Sequence, residues 1–225
     1  MSAQGPRSRP LIWVNCAVSL DGRLAFASGA RAHLSGPEDR LRVQRLRAES
    51  DAIVVGAGTV VLDDPSLKVH WEELGRTTGP PRTRIVLDAH GRLPVAAKVL
   101  DGSAPTIVAT VEENSRHYPP HVDRVVAGRG RVDLPTLWAE LHRRGMRRVL
   151  VEGGSHVIES VIASRLLDRF TVYVAPVVIG ADGAPPLVAG PAVGSVAEAM
   201  AFEMLGVERI DTGYVVSYAP LARRA

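Results

Sequence analysis

Short apolar runs rich in β-branched residues alternate with helical stretches along the whole chain. The runs 53–55 and 149–151 are apolar on both faces, which is typical of sheet strands covered by helices on each side. A short helix over 196–200 is expected before the last strand. The alternation predicts one α/β domain over residues 1–225, with residues 1–10 as a disordered tail. The predicted strands are 11–18, 52–55, 84–88, 106–110, 124–127, 148–151, 170–178 and 214–218.

Three longer helices are predicted between these strands. The first begins at Ser35, because Glu38 three residues later completes a capping box and Pro37 suits a first helical turn. A second helix is expected over 135–144, and a third directly after the glycine pair at 153–154. The first helix has a short apolar stripe, and its polar face carries Arg40, Arg42, Arg45 and Arg47.

The composition agrees with a folded α/β protein. At 225 residues, with 46% hydrophobic and 23% charged residues, the chain can bury a real core, which excludes disordered and fibrous proteins. No apolar run approaches the roughly 20 residues of a membrane span, and the N-terminus lacks the apolar segment of a secretory signal. We therefore expect a cytoplasmic protein without a membrane partner. The single cysteine, Cys16, can neither form an internal disulfide nor hold zinc alone, and no metal site is predicted.

The formal net charge is only +3, but the basic residues are almost all arginines. Lys68 and Lys98 are the only lysines among 27 basic residues. Arginine suits phosphate, because its planar guanidinium donates in pairs to phosphate oxygens. Charge alone does not separate a phosphorylated ligand from nucleic acid. The basic cluster 142–148, however, is more typical of a solvated helix end than of a nucleic-acid surface, so no nucleic-acid partner is expected.

Three glycine-bearing turns follow predicted strands, where α/β sheets place their ligands. The turn 56–59 combines two glycines, which let a backbone approach phosphate closely, with a threonine hydroxyl. It is not a dinucleotide fingerprint, because Val61 stands where a third glycine is needed. The turn 152–155 places a glutamate before a glycine pair, and the turn 21–22 is Asp-Gly. Taken singly, each turn is either a ligand site or a plain connection.

These turns belong to a longer series of motifs that resembles one known family. The series, in order, is 15–23, 28–37, 47–51, 56–67, 152–154 and 175–180. From about residue 11 to 218 the chain resembles the riboflavin-biosynthesis pyrimidine reductases. The resemblance implies a dihydrofolate-reductase-like, three-layer α/β/α fold with a central, mostly parallel mixed sheet, and a homodimer. It also implies reduction of a ribosylaminopyrimidine 5′-phosphate to its ribitylamino counterpart by NADPH, with NADH as the alternative.

The resemblance also implies roles for individual residues. Arg47 matches the arginine that holds the substrate phosphate, and Glu152 matches a pyrimidine-binding carboxylate that is also the candidate for catalytic proton transfer. The implied substrate contacts are Asn15, Arg31, Arg47, Leu67, His70 and Glu152. The implied cofactor contacts are Ala17, His33, Gly56, Thr59, Asp63, Ala89, His90, Arg92, Gly153, Gly154, Ser155 and His156.

Two departures from the family pattern refine these expectations. Asn15 stands where the bifunctional bacterial members usually have lysine, and an amide can accept as well as donate. This predicts 2,5-diamino-6-ribosylamino-4(3H)-pyrimidinone 5′-phosphate as the substrate, with 5-amino-6-(5-phosphoribosylamino)uracil as the alternative. Ala89 replaces a serine beside the adenosine phosphate, so His90 or Arg92 is expected to supply charge there, with NADPH preferred.

Two other functions remain open at the level of sequence. A dihydrofolate-reductase-like enzyme acting on another pterin or pyrimidine would need no sugar-phosphate site, so the importance of Arg47 separates it from the pyrimidine reductases. A basic nucleotide-binding module without turnover would bind oligonucleotides in a salt-sensitive way and would not bind NADPH.

Overall fold

The computed structural model describes residues 8–30, 32–180, 182–191 and 193–221. Arg31 and residues 1–7, most of the predicted tail, lie outside that range, whereas Arg9 pairs with Asp168 at 2.5 Å. The strands are β1 (Leu11–Ser19), β2 (Ala52–Gly56), β3 (Thr83–Leu87), β4 (Thr106–Thr110), β5 (Val122–Val126), β6 (Arg148–Val151), β7 (Arg169–Ala175), β8 (Phe202–Ile210) and β9 (Gly213–Pro220). The α-helices are α1 (Pro37–Glu49), α2 (Ala57–Asp63), α3 (Leu134–Arg143) and α4 (Ser155–Ser164), and 3₁₀ turns occur at Trp71–Leu74 and Lys98–Leu100.

One nine-stranded sheet organises the molecule, in the order β5-β4-β3-β2-β6-β1-β7-β9-β8. Strands from β5 to β7 in that order run parallel, and the edge pair β9 and β8 is antiparallel. The parallel strands all end at one edge of the sheet, so the turns that follow β1, β2, β3 and β6 come together there. The predicted mixed, mostly parallel sheet is therefore confirmed.

Apolar side chains on both faces of the central strands form two cores. Val54 packs into a large core with Leu137 and Trp138 of α3 and Ile158 of α4. Its neighbours Ile53 and Val55 point to the opposite face and pack into a second core with Val60 of α2. Burial on both faces explains why the central strands are continuous apolar runs rather than alternating ones.

Helix α1 does not start as the sequence predicts. Its N-cap is Gly36, which offers no side-chain cap, and the Ser35 hydroxyl donates to the Asp39 carboxylate instead. The cap comes from Asp211 in the β8–β9 turn, whose carboxylate accepts from the amides of Glu38 (3.0 Å) and Asp39 (2.9 Å). A Cβ at Gly36 would lie 2.3 Å from Asp211 Cγ, so the glycine makes room for the remote cap.

The C-terminal part of the chain differs most from prediction. Strand β8 was not predicted, because nearly all its residues are exposed and show no buried face. The helix expected over 196–200 is wrong: that segment is a turn, in which the Glu198 carboxylate accepts from the Gly194 amide and the Ser195 hydroxyl. Strand β7 stops at Ala175 instead of residue 178, because Pro176 has no amide hydrogen for the ladder.

Candidate active site

A large cavity lies at the edge of the sheet where the parallel strands end. Its volume is about 1010 Å³, at the upper end of the roughly 300–1,000 Å³ typical of small-molecule sites. It is bounded by the ends of β1, β2, β3 and β6, by helix α1 and by the start of α4. Its position is the one that open α/β sheets use for ligands.

The predicted site residues converge on this cavity with two exceptions. Arg31 lies outside the described residues. The Leu67 side chain is only 2% exposed and packs in the core beneath α2 rather than lining the cavity. Leu67 has a φ of +52°, an uncommon backbone conformation for a residue other than glycine. Its role as a substrate contact stays a prediction.

Arg47 and Glu152 form a forked ion pair inside the cavity. Arg47 Nε donates to Glu152 Oε1 and Nη2 donates to Oε2, both at 2.6 Å, while Nη1 donates to the Lys68 carbonyl at 3.0 Å. Burial acts to lower the pKa of Arg47, but the neighbouring Glu152 outweighs it and the pKa is raised. The guanidinium therefore stays charged, and each oxygen of Glu152 accepts one hydrogen bond from it, which leaves further acceptor positions for a ligand.

Asn15 lies beside this pair. In the parallel register Val14 of β1 stands opposite Val151 of β6, so Asn15 and Glu152 are the next positions on adjacent strands. The Asn15 side chain is buried, and its Oδ1 has no hydrogen-bond partner in the described part of the chain. A buried acceptor without a donor is costly, so this atom is suited to a donor group on a ligand.

Glycines after β6 bring two turns into contact. Gly153 and Gly154 have φ values of +117° and +89°, and a Cβ at Gly154 would come within 3.2 Å of Thr59 Oγ1 in the turn after β2. Ser155, the first residue of α4, is buried, and its hydroxyl lacks a partner among the described residues. Bare backbone amides, two hydroxyls and a helix start fit the diphosphate of a dinucleotide.

The far end of the cavity is formed by the loop after β3, which carries Ala89, His90 and Arg92. Asp88 fixes this loop, because its carboxylate accepts from the amides of Arg92 (2.8 Å) and Leu93 (3.1 Å) and from the Tyr118 hydroxyl (3.1 Å). The His90 and Arg92 side chains are exposed, and neither forms an ion pair with a carboxylate among the described residues.

Two residues on the cavity-facing side of α1, Val43 and Gln44, were not predicted from the sequence. Arg40, Val43, Gln44 and Arg47 line the cavity with the spacing of one helix face. Gln44 is buried and accepts from the His70 amide at 2.9 Å, which positions a predicted substrate contact. Asp39 is also buried on the cavity wall and binds Arg42 at 2.7 Å. The helical spacing of Arg40, Gln44 and Arg47 is the signal in the sequence that marks this face.

Among the described residues, no helix is long and apolar enough to cross a bilayer. Across the same residues, no group of three or more histidine, cysteine, aspartate or glutamate side chains could hold a metal ion.

The model of the RibD C-terminal domain matches residues 10–216 of this sequence. The chain belongs to the RibD C-terminal domain family. This family member is 39% identical over 220 residues to the 2,5-diamino-6-ribosylamino-4(3H)-pyrimidinone 5′-phosphate reductase of Archaeoglobus fulgidus, covering 93% of this chain and 97% of the relative. It is 32% identical over 211 residues, 89% of its length, to the riboflavin biosynthesis protein RibD of Escherichia coli, of which it spans 57%.

Solved structures of RibD-type proteins share its fold. The deaminase/reductase of Thermotoga maritima superimposes with a TM-score of 0.81 at 27% identity, over 95% of this chain and 57% of that one. The riboflavin biosynthesis reductase Rib7 of Saccharomyces cerevisiae superimposes with a TM-score of 0.75 at 21% identity, over 97% of this chain and 93% of that one. The expected dihydrofolate-reductase-like fold is therefore confirmed.

Proposed function

We propose that the chain reduces the ribosyl group of 2,5-diamino-6-ribosylamino-4(3H)-pyrimidinone 5′-phosphate to a ribityl group, with NADPH as the reductant. The observation that carries this proposal is the unpartnered Asn15 Oδ1 beside the Arg47–Glu152 pair, in the same cavity as the glycine turns. The archaeal reductase that is 39% identical over nearly its whole length supports the same reaction.

Asn15 and Glu152 are assigned to the pyrimidine ring. Both offer hydrogen-bond acceptors at neighbouring positions of the adjacent strands β1 and β6, and a diaminopyrimidinone presents amino donors. The uracil form has a carbonyl oxygen in place of one amino group, so the Asn15 acceptor would face another acceptor. Because Arg47 holds both oxygens of Glu152, this arrangement favours a binding role for Glu152 over proton transfer.

Arg47 is assigned to the substrate phosphate as well as to Glu152. A guanidinium has five N–H donors, and the described contacts of Arg47 use three of them. Its remaining donors suit a dianion, because charge-assisted hydrogen bonds from arginine to phosphate are strong. His70, held by Gln44, and Arg40 on the same helix face line the neighbouring wall. Contacts from Arg31 and Leu67 stay predictions.

The cofactor is assigned to the remaining length of the cavity. The backbone at Gly153 and Gly154 and the hydroxyls of Thr59 and Ser155 would hold its diphosphate. When bound, the reduced nicotinamide supplies the hydride. The protein orients the sugar carbon toward that group and keeps water away. Contacts in the same assignment come from Ala17, His33, Gly56, Asp63, Ala89, His90, Arg92 and His156. A homodimer and a cytoplasmic location stay predictions.

The deciding experiment follows the loss of reduced-nicotinamide absorbance with three substrates: the diaminopyrimidinone phosphate, the aminouracil phosphate and dihydrofolate. We expect turnover with NADPH and the highest kcat/KM with the diaminopyrimidinone. A preference for the aminouracil form would keep the reductase but overturn the substrate assignment. Turnover of dihydrofolate alone would identify another dihydrofolate-reductase-like enzyme, and no binding of NADPH would reject the reductase.

A further inference from the structure

A second basic loop reaches the far end of the cavity. Gly130, Arg131 and Val132 line it together with His90 and Arg92, although they follow β5 rather than β3. In the sheet order only β4 separates β3 from β5, and all three strands are parallel. The two loops therefore leave the same edge of the sheet, about two strand spacings or roughly 10 Å apart.

The loop after β5 is built to hold this position. Glu112 binds Arg129 and donates its amide to the Gly128 carbonyl, while the Glu113 carboxylate accepts from the Gly130 amide at 3.1 Å. Gly128 has a φ of +107°, and a Cβ there would lie 2.7 Å from the Arg131 carbonyl oxygen. The two glutamates after β4 thus clamp the loop, and the glycine permits the tight turn that presents Arg131.

The charged side chains that line this end of the cavity are basic. The acidic residues among the described lining are Asp39, Asp63, Glu73 and Glu152, and none of them belongs to the loops after β3 or β5. The Asp88 carboxylate accepts hydrogen bonds from backbone amides of its own loop, and Asp133 caps α3 by accepting from the Thr136 amide at 2.9 Å. Hydrogen bonds from Thr136 and the nearby Arg131 charge lower the pKa of Asp133, but Arg131 forms no ion pair with a described residue.

We propose that Arg131 determines cofactor specificity by binding the 2′-phosphate of the NADPH adenosine, opposite His90 and Arg92. The inference deepens the proposed function and rests on it. Two arginines from separate strand ends can grip a phosphate monoester from both sides, whereas a bare ribose hydroxyl gives them nothing to neutralise. Ala89 offers no hydroxyl at this end, so cationic side chains must supply the recognition.

Binding of cofactor fragments tests this assignment without any turnover. We would titrate 2′,5′-ADP and 5′-AMP into the intact chain by calorimetry, and repeat the titration with Arg131→Ala and Arg131→Gln. Both variants should weaken 2′,5′-ADP binding by roughly 10-fold or more, the usual effect of losing a charged hydrogen bond, and change 5′-AMP binding less than about 2-fold. Arg92→Ala should act in the same direction.

Arg143→Ala is the matched control. It removes the same charge from an exposed side chain on α3 that pairs with Glu140 and lies outside both the cavity lining and the loop after β5. An equal loss with Arg143→Ala, or no loss with Arg131→Ala, would overturn the inference while leaving the reductase intact. Equal binding of both fragments by the parent chain would overturn it too. Failure of the parent chain to bind NADPH at all would reject the proposed function itself.

Discussion

Arg47 donates to both carboxylate oxygens of Glu152, which lies 105 positions away in sequence. The pair joins helix α1 to the end of β6 and is largely shielded from water, with side-chain exposures of 14% and 10%. Each charge depends on the other, because a buried charge without its partner is strongly destabilising.

Removing one member of this pair should cost more stability than removing both. We expect Arg47→Ala to lower the free energy of unfolding by about 3 kcal/mol, because it leaves the buried Glu152 carboxylate without its charge partner. The double variant Arg47→Met with Glu152→Gln should recover most of that loss and still lack activity. Urea unfolding of the two variants checks this, and equal stability of both would contradict the prediction.

Substitution of Asn15 should change which substrate is preferred. Asn15→Lys leaves only donors, so kcat/KM should shift toward the aminouracil phosphate by about 10-fold or more. Asn15→Asp keeps the acceptor and should retain preference for the diaminopyrimidinone, which makes it the matched control. Steady-state kinetics on both substrates decides. If both variants show the same ratio of kcat/KM values for the two substrates as the parent, Asn15 does not determine which pyrimidine ring is bound.

Loss of the Asp211 cap should destabilise helix α1. Asp211→Ala removes the acceptor for two helix amides and should lower the free energy of unfolding by about 1 kcal/mol. Asp211 has a φ of +50°, so Asp211→Gly loses the cap but gains a residue suited to that conformation and should lose less. Asp211→Asn should lose least. Thermal denaturation tests this order, and a reversed order would contradict the capping role.

The Cys16 thiol should make stability fall at alkaline pH. Burial raises its pKa to about 12, with the Arg42 charge acting in the opposite direction, whereas an unfolded chain releases the proton near pH 8.5. Above that pH the unfolded state binds fewer protons, so the free energy of unfolding falls as pH rises. Relative to Cys16→Ala, the parent should lose about 1 kcal/mol between pH 9 and 10. A constant difference would contradict the burial of this thiol.

The glycine turn after β6 should tolerate no side chain. Gly154→Ala puts a methyl group against Thr59 at a φ of +89°, so we expect KM for NADPH to rise at least about 10-fold. Gly206→Ala in β8 is the control, because open space surrounds that position and its φ is ordinary. Cofactor titration of both variants separates the turn from a general effect. Tight NADPH binding by Gly154→Ala would count against the diphosphate assignment.

The parts of the fold that sequence could predict are those with local signals. The central strands are apolar on both faces, and the carboxyl ends of parallel strands meet at one edge of the sheet, which is why the turns after β2 and β6 line one cavity. Strand β8 carries no such signal, since its pairing with β9 rather than a buried face makes it a strand. Asp211 caps a helix that is distant in sequence, and Arg131 lines a cavity formed mostly by distant segments. No local sequence pattern predicts either position.

The two ends of the cavity are anchored in different parts of the sheet. One end is formed by β1, α1 and the end of β6, which carry Asn15, Arg47 and Glu152. The other end is formed by the loops after β3 and β5, which carry Arg92 and Arg131 and are held by Asp88, Glu112 and Glu113. With no residue shared between these supports, changes at one end add to changes at the other. We therefore expect substrate choice and cofactor choice to be separable traits, which selection or engineering can alter one at a time.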